Sequence, residues 1–267
     1  MIPKTNVFLQ YLKSIYIKIC KKIGFMILIK DQRESIHSNK LEKYNTKTGI
    51  YFLPKYAHQD VVRNEIIKDR IFDEEIFNIG KKFITDESIV IDAGANFGQM
   101  SILFSNLKKN VEVHSFEASP YIYEILKKNA SLNNSKIKTF NLILSDKSQF
   151  NSVKGPKLKF GTYGSDHLEF DENYSEDNKN IKSVMLDDLE FKKKISFMKI
   201  DVQGMDYKVL VGAKKTIKKN RMPIIFEYED LFEKKFDYNF EMFVNFVKEI
   251  DYKFNTVIKQ NFLILPK

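Results

Sequence analysis

The stretch "IVIDAGANFGQMS", residues 89–101, decides the fold. An apolar run stops at the acid Asp92, two glycines follow at Gly94 and Gly98, and the chain then turns helical in character. A short apolar run bounded by turn signals predicts a strand buried on both faces. In an open parallel sheet, ligands bind beyond the carboxyl ends of the strands, where the strand order reverses. Gly94 lets the chain turn tightly and lets a ligand approach the backbone. Gly98 opens the next helix, whose free N–H groups favour electron-rich ligand atoms. The Asp92 carboxylate can accept hydrogen bonds from the loop or face a cationic ligand.

Regular alternation continues from there. "VEVHSFEA" predicts a strand and "PYIYEILKKNASLN" a helix, with Pro120 in the first turn, where proline fits. "KIKTFNLILSD" and "ISFMKIDV" predict strands, "MDYKVLVGAKKTIKK" one helix, "PIIFEYE" a strand, and "NFEMFVNFVKEI" a helix. "YKFNTVI" and "NFLILP" predict a closing hairpin through Lys259 and Gln260. Strands alternating with helices give an α/β, Rossmann-like parallel sheet covered on both faces, with an antiparallel last strand. Upstream, one helix is expected over residues 64–83, and "NKLEKYNTKTG" is expected to be linker. Residues 147–182 interrupt the rhythm with Gly155, Gly161, Gly164 and "DENYSEDNKN", and are expected to form an insertion with short strands over one end of the sheet.

The second strand ends at Glu117, 25 residues after Asp92. An acid at that place is positioned to take both ribose hydroxyls. The third strand ends in "LILSDK", where Asp146 could reach an adenine amino group. Together these features point to an adenosine-containing ligand. A dinucleotide site favours G-x-G-x-x-G, with a second glycine that lets the backbone approach a pyrophosphate. Here the pattern is D-x-G-x-x-x-G, with Asn96 at that place. An acid before the turn suits a positively charged ligand, so S-adenosylmethionine, with its sulfonium, ammonium and ribose, fits better than NAD.

"FMKIDVQGMDYKVLVGAKKTI" followed by "RMPIIFEYE" resembles the FkbM family of S-adenosylmethionine-dependent methyltransferases. "VIDAGANFGQMS", "SFEASPYIYEILKKNASLN", "LSDK" and "VMLDDL" match in the family's order, from about residue 88 to residue 265. The resemblance implies a class I methyltransferase with a seven-stranded sheet and O-methylation of a hydroxyl. It implies that Asp92, Gly94, Asn96 and Gly98 line the methionine end of the cofactor, that Glu117 holds the ribose, and that Ser145 and Asp146 sit near adenine. It places Asp201 at the tip of the fourth strand, between cofactor and acceptor. The family often has Pro where Ala118 stands and Glu where Gln203 stands. The second departure puts in doubt any role of position 203 as a base or metal ligand.

Methyl transfer from a sulfonium is an in-line displacement, and a base helps to take the acceptor's proton. Asp201, Glu227 and His167 are the candidates. Asp201 and Glu227 end neighbouring strands, so they could share one cleft, or hold a divalent cation with a sugar diol. No two histidines have metal-ligand spacing, and no metal site is assigned. Tyr163 and Asp166 are expected to contribute acceptor-binding groups from the insertion. The acceptor expected is a sugar or glycan precursor for the cell surface. The rivals are an NAD-dependent oxidoreductase and a catalytically inactive cofactor-binding or membrane-associated module. Nothing in the motifs points to nucleic acid.

The 267 residues, 43% hydrophobic, suffice for one large domain with an extension, drawn at residues 1–60 and 61–267. The single cysteine, Cys20, forbids an intramolecular disulfide and is compatible with a reducing cytoplasm. The net charge of +9 favours anionic partners without choosing among them. Residues 1–30 carry six lysines and no acid. Phe8, Leu12, Ile15, Tyr16, Ile19 and Ile23 form an apolar stripe at helical spacing, suited to a membrane surface, to the main domain or to a second copy. The lysines within the stripe keep any apolar run below the length of a membrane span. A cytoplasmic protein, with peripheral contact through residues 1–30, is the expectation.

Overall fold

A computed structural model describes residues 40–154, 169–170 and 180–267. Its frame is a seven-stranded sheet. In chain order the strands are β3 (Ile89–Ala93), β4 (Glu112–Phe116), β5 (Ile137–Phe140), β10 (Ile195–Ile200), β11 (Ile224–Glu227), β12 (Tyr252–Ile258) and β13 (Asn261–Pro266). In space they lie in the order β12-β13-β11-β10-β3-β4-β5. The pairs β11/β10, β10/β3, β3/β4 and β4/β5 are parallel, while β13 runs antiparallel to both β11 and β12. The order therefore reverses between β3 and β10. The parallel strands and the antiparallel last strand were expected from the alternation, and the count of seven is what the resemblance implies.

The sheet alternates side chains between two cores. Ile91 and Ala93 of β3, Met198 and Ile200 of β10, and Ile224 and Phe226 of β11 face one core. Val90, Phe197 and Ile225, the intervening residues, face the other. With both faces covered, the strands read as unbroken apolar runs rather than alternating ones. The first core is closed by α5 (Asp206–Gly212), α6 (Lys214–Asn220) and α8 (Phe240–Glu249). The second is closed by α1 (Val61–Ile67), α2 (Glu74–Phe83), α3 (Gln99–Ser105) and α4 (Pro120–Asn133). The short α7 (Glu233–Phe236) follows a 3₁₀ turn after β11.

Four local expectations are corrected. The helix expected over residues 64–83 is two helices, α1 and α2, because Asp69 and Asp73 both take left-handed backbone (φ 58° and 52°) and break it. The helix expected over "MDYKVLVGAKKTIKK" also divides, at Ala213 between α5 and α6. The strand expected over "KIKTFNLILSD" divides into β5 and β6 (Ile143–Leu144), and β6 leaves the main sheet. It pairs with β9 (Asn180–Val184), which pairs with β7 (Gln149–Lys154), and β7 pairs in turn with β8 (Glu169–Phe170). Short strands in the insertion were expected.

The fourth correction is the linker. Residues expected to be linker form a hairpin, β1 (Leu41–Thr46) and β2 (Gly49–Pro54), packed on the second core through Tyr51 and Leu53. Its free edge is satisfied by two asparagines one turn apart on α4. Asn133 accepts from Ile50 N (2.8 Å) and donates to Ile50 O (2.7 Å). Asn129 accepts from Phe52 N (2.7 Å) and donates to Phe52 O (3.2 Å) and to Phe97 O (2.9 Å). The side-chain amides stand in for the missing neighbouring strand. Arg63 of α1 adds bonds to Pro54 O (2.6 Å) and Lys55 O (2.9 Å). The basic stripe of residues 1–30 lies outside the described residues. Among the described residues, no helix is long and apolar enough to cross a membrane.

Asn129 is fully buried, so its loss orphans the buried Phe97 O and removes two part-buried bonds to Phe52. Asn129→Ala is expected to lower unfolding stability by about 3 kcal/mol, at about 1–3 kcal/mol per orphaned buried group. Urea unfolding followed by circular dichroism checks this.

Candidate functional site

The carboxyl ends of β3, β4, β10 and β11 open into a cavity of about 580 Å³, the size of a small-molecule site. The glycine turn forms its floor. Gly94 (φ 77°) passes so close to β10 that a Cβ there would lie 1.8 Å from Asp201 O. Only glycine fits. Asn96 also takes left-handed backbone (φ 49°), which asparagine tolerates better than most residues. Its backbone N–H points to Glu117.

Glu117 follows β4 directly and lines the cavity. Its two oxygens accept from Asn96 N (3.0 Å) and Ser119 N (2.8 Å). Each oxygen keeps a second acceptor position toward the cavity. Burial raises its pKa to about 7 against those two backbone bonds, which lower it. Beside it, Leu142, Ile143, Leu144, Ala118 and Ile122 form an apolar wall.

Asp201 and Glu227 line the same cavity, as their strand ends predict. Gln203 Nε2 donates to Asp201 Oδ1 at 3.2 Å, so the residue that replaces an acid here orients one. Burial raises Glu227 to about 9, helped by Asp201, Asp206 and Glu229, and its Oε2 is buried without a hydrogen-bond partner. Behind it, Asp206 accepts from Glu227 N (3.2 Å) and is pushed to about 7 by burial and by Asp201.

Asp92 is not in the cavity wall. It is wholly buried, accepts from Ser101 Oγ at 2.5 Å, and faces Lys199 Nζ at 3.5 Å. The expectation that it lines the methionine end is corrected to a role behind the turn. Gly98 is also outside the wall. It is the N-cap of α3, and a Cβ there would lie 2.8 Å from Leu126 Cδ1, so it serves close packing against α4. Ser145 and Asp146 do not reach the wall either, because β6 turns away and presents Ile143 and Leu144 instead. The backbone of Ser145 packs on Gly212, where a Cβ would lie 1.9 Å from Ser145 O. His167, Tyr163 and Asp166 lie outside the described residues.

The sequence reasoning missed Lys199, Asp73, Gln99 and Glu229, which also line the cavity. Lys199 is buried within β10, with Nζ 3.4 Å from Asp201 Oδ2 and 3.3 Å from Gly94 O. Burial opposes its charge, but Asp201, Asp92 and Asp73 outweigh burial and hold its pKa above the ordinary value. The signal was legible: a lysine inside a buried strand, two residues before an acid, requires a buried counter-charge.

The FkbM methyltransferase domain matches residues 92–254. The chain belongs to the FkbM methyltransferase family. An FkbM methyltransferase from Methylobacillus flagellatus KT is 14% identical, with a TM-score of 0.46 over 78% of this chain and 52% of that one. This chain thus spans about half the length of that neighbour. TYW2 from M. jannaschii in complex with AdoMet is 13% identical, with a TM-score of 0.40 over 85% of this chain and 84% of that one. A putative rRNA-methylase from Clostridium thermocellum is 10% identical, with a TM-score of 0.46 over 72% and 92%. No curated protein matches the sequence.

The methyl donor of the family is S-adenosylmethionine, and the cavity fits it. Among the described residues, Asp73, Glu117, Asp201, Glu227 and Glu229 line the space together with one basic side chain, Lys199. That excess of carboxylates suits a sulfonium and an ammonium. The Glu117 oxygens lie beside the apolar wall of Leu142, Ile143 and Leu144.

Because Asp206 titrates near 7 when folded and near 4 when unfolded, the folded chain binds the extra proton between those values. Its contribution to stability is therefore lost as pH rises from about 4 to 7. Asp206→Asn removes that loss. The variant is expected to gain on wild type between pH 5 and pH 8 by about 1–3 kcal/mol, at about 1.4 kcal/mol per pKa unit, in denaturant melts at the two pH values.

Proposed function

We propose that the chain is an S-adenosylmethionine-dependent O-methyltransferase acting on a hydroxyl of a sugar or glycan precursor for cell-surface polysaccharide. The observation that carries this reading is a single cavity that holds Glu117 at one end, and Asp201 and Glu227, from adjacent strands, at the other. The acceptor class is supported by an adjoining open groove that shares Val61, Phe72 and Asp73 with the cavity. The groove is lined by Lys47, Thr48, Asp69, Arg70 and Asn78 among others. Mixed donors and acceptors of this kind suit a polyhydroxylated molecule better than an apolar one.

When bound, the cofactor supplies a methyl group on a sulfonium, whose departing thioether is neutral. The protein's part is alignment and proton removal. Gly94 allows the backbone to come close to the ligand, and Glu117 fixes the ribose. Glu227, raised to about 9, keeps its proton near neutral pH and serves as a hydrogen-bond donor to the acceptor. Asp201, oriented by Lys199 and Gln203, is then the carboxylate placed to receive the acceptor's proton.

Calorimetric titration of S-adenosylhomocysteine into wild type and Glu117→Ala tests the cofactor end. The substitution is expected to weaken binding by about 1–3 kcal/mol, the scale for losing a charged hydrogen-bond partner. Undiminished binding would remove Glu117 from the site. Radiolabelled methyl transfer tests the acceptor. Label on sugar hydroxyls is expected, and label confined to amines or protein would overturn the acceptor class.

A further inference from the structure

One acid in the cavity comes from outside the matched family region. Asp73 is the residue before α2, in the segment that joins α1 to α2. It takes left-handed backbone (φ 52°, ψ 52°), an arrangement that non-glycine residues keep only when their surroundings enforce it. It occupies the N-cap position of α2, where an aspartate ordinarily bonds the helix N–H groups. Its side chain makes no such bond. The carboxylate lines the cavity instead, within the field of Asp201 and Lys199. Its ion-pair neighbour is Lys259, 3.8 Å away and largely exposed, a contact worth little in water.

The enforcing contact is Gln99, the residue after the glycine turn and nearly wholly buried. Its Oε1 accepts from Phe72 N (2.9 Å) and its Nε2 donates to Arg70 O (2.8 Å). These two bonds moor the 70–73 segment to the first residue of α3, so Asp73 is held at a fixed place relative to Gly94. The cavity then has two chemically distinct ends. One has Glu117 and the apolar wall of Leu142–Leu144. The other has Asp73 together with Asp201, which is paired with the buried cation Lys199 at 3.4 Å. Lys199 is engaged by Asp92, Asp201 and Gly94 O, so the Asp73 carboxylate is an anion that the buried cation does not pair, which is the complement of a ligand ammonium.

We propose that Asp73 is a binding residue for the ammonium of the cofactor's amino-acid moiety. This rests on the S-adenosylmethionine reading above and adds a subsite built from a segment N-terminal to the family match.

The test compares two ligands on the full chain by calorimetry. S-adenosylhomocysteine carries the amino-acid group, and 5′-methylthioadenosine lacks it. Asp73→Asn suits the purpose, because asparagine tolerates left-handed backbone and removes only the charge. The variant is expected to bind S-adenosylhomocysteine about tenfold more weakly, the scale of one charge-assisted hydrogen bond. Its affinity for methylthioadenosine should stay within about twofold of wild type. If the variant loses both ligands equally, Asp73 merely shapes the cavity and the inference is overturned. Unchanged binding of both ligands overturns it as well. Wild type that binds neither ligand would overturn the cofactor reading itself, and this subsite with it.

Discussion

The centre of the molecule depends on one buried ammonium. Lys199 lies in β10 directly beside Asp92 of β3, and Asp92 lies beside Ser115 of β4. The three residues form a polar row across the middle of an otherwise apolar sheet. Ser115 Oγ donates to Ser101 Oγ (2.7 Å), and Ser101 Oγ donates to Asp92. Asp92 and Asp201 then flank the lysine, whose Nζ also reaches Gly94 O. Isolated charges are costly to bury, and removing one partner of such a group leaves the others uncompensated. The row therefore fixes strand ends, glycine turn and α3 relative to one another. The cavity is what remains open in front of it.

This arrangement also explains the charge of the cavity. Lys199 is already engaged by Asp92 from behind, so it offsets only part of the negative charge of Asp73, Asp201 and Glu229. Burial then favours the protonated form of two further acids of the cavity, as the raised values of Glu117 and Glu227 show. A ligand bearing positive charge removes the reason for holding those protons. Pyrophosphate does the opposite, adding negative charge to an acidic space. The D-x-G-x-x-x-G pattern and the acids around it thus express one preference in two ways.

Much of the fold was legible because its signals are local. β3, β4, β10 and β11 are short apolar runs ending in an acid, and the strand–helix rhythm requires a parallel sheet. Glu117, Asp201 and Glu227 could be placed because strand ends fix position along the sheet. What failed depends on distant partners. The hairpin at Leu41–Pro54 reads as polar linker because the bonding of its outer edge comes from Asn129 and Asn133, some 80 residues away. Asp92 was read as a ligand group because its true partner, Lys199, is more than 100 positions downstream. Ser145 and Asp146 were misplaced because β6 changes sheets, a choice made by β9. Asp73 carries no motif, and only the bonds of Gln99 to its neighbours bring it to the cavity.

The central claim is that this cavity is built for a cationic adenosine ligand. It is tested most directly by calorimetric titration of the full chain with S-adenosylmethionine and, separately, with NAD⁺ at the same pH and ionic strength. The account predicts micromolar binding of S-adenosylmethionine, about −8 kcal/mol at 1 μM, and no detectable heat with NAD⁺. Binding of NAD⁺ by a folded chain that ignores S-adenosylmethionine would contradict it.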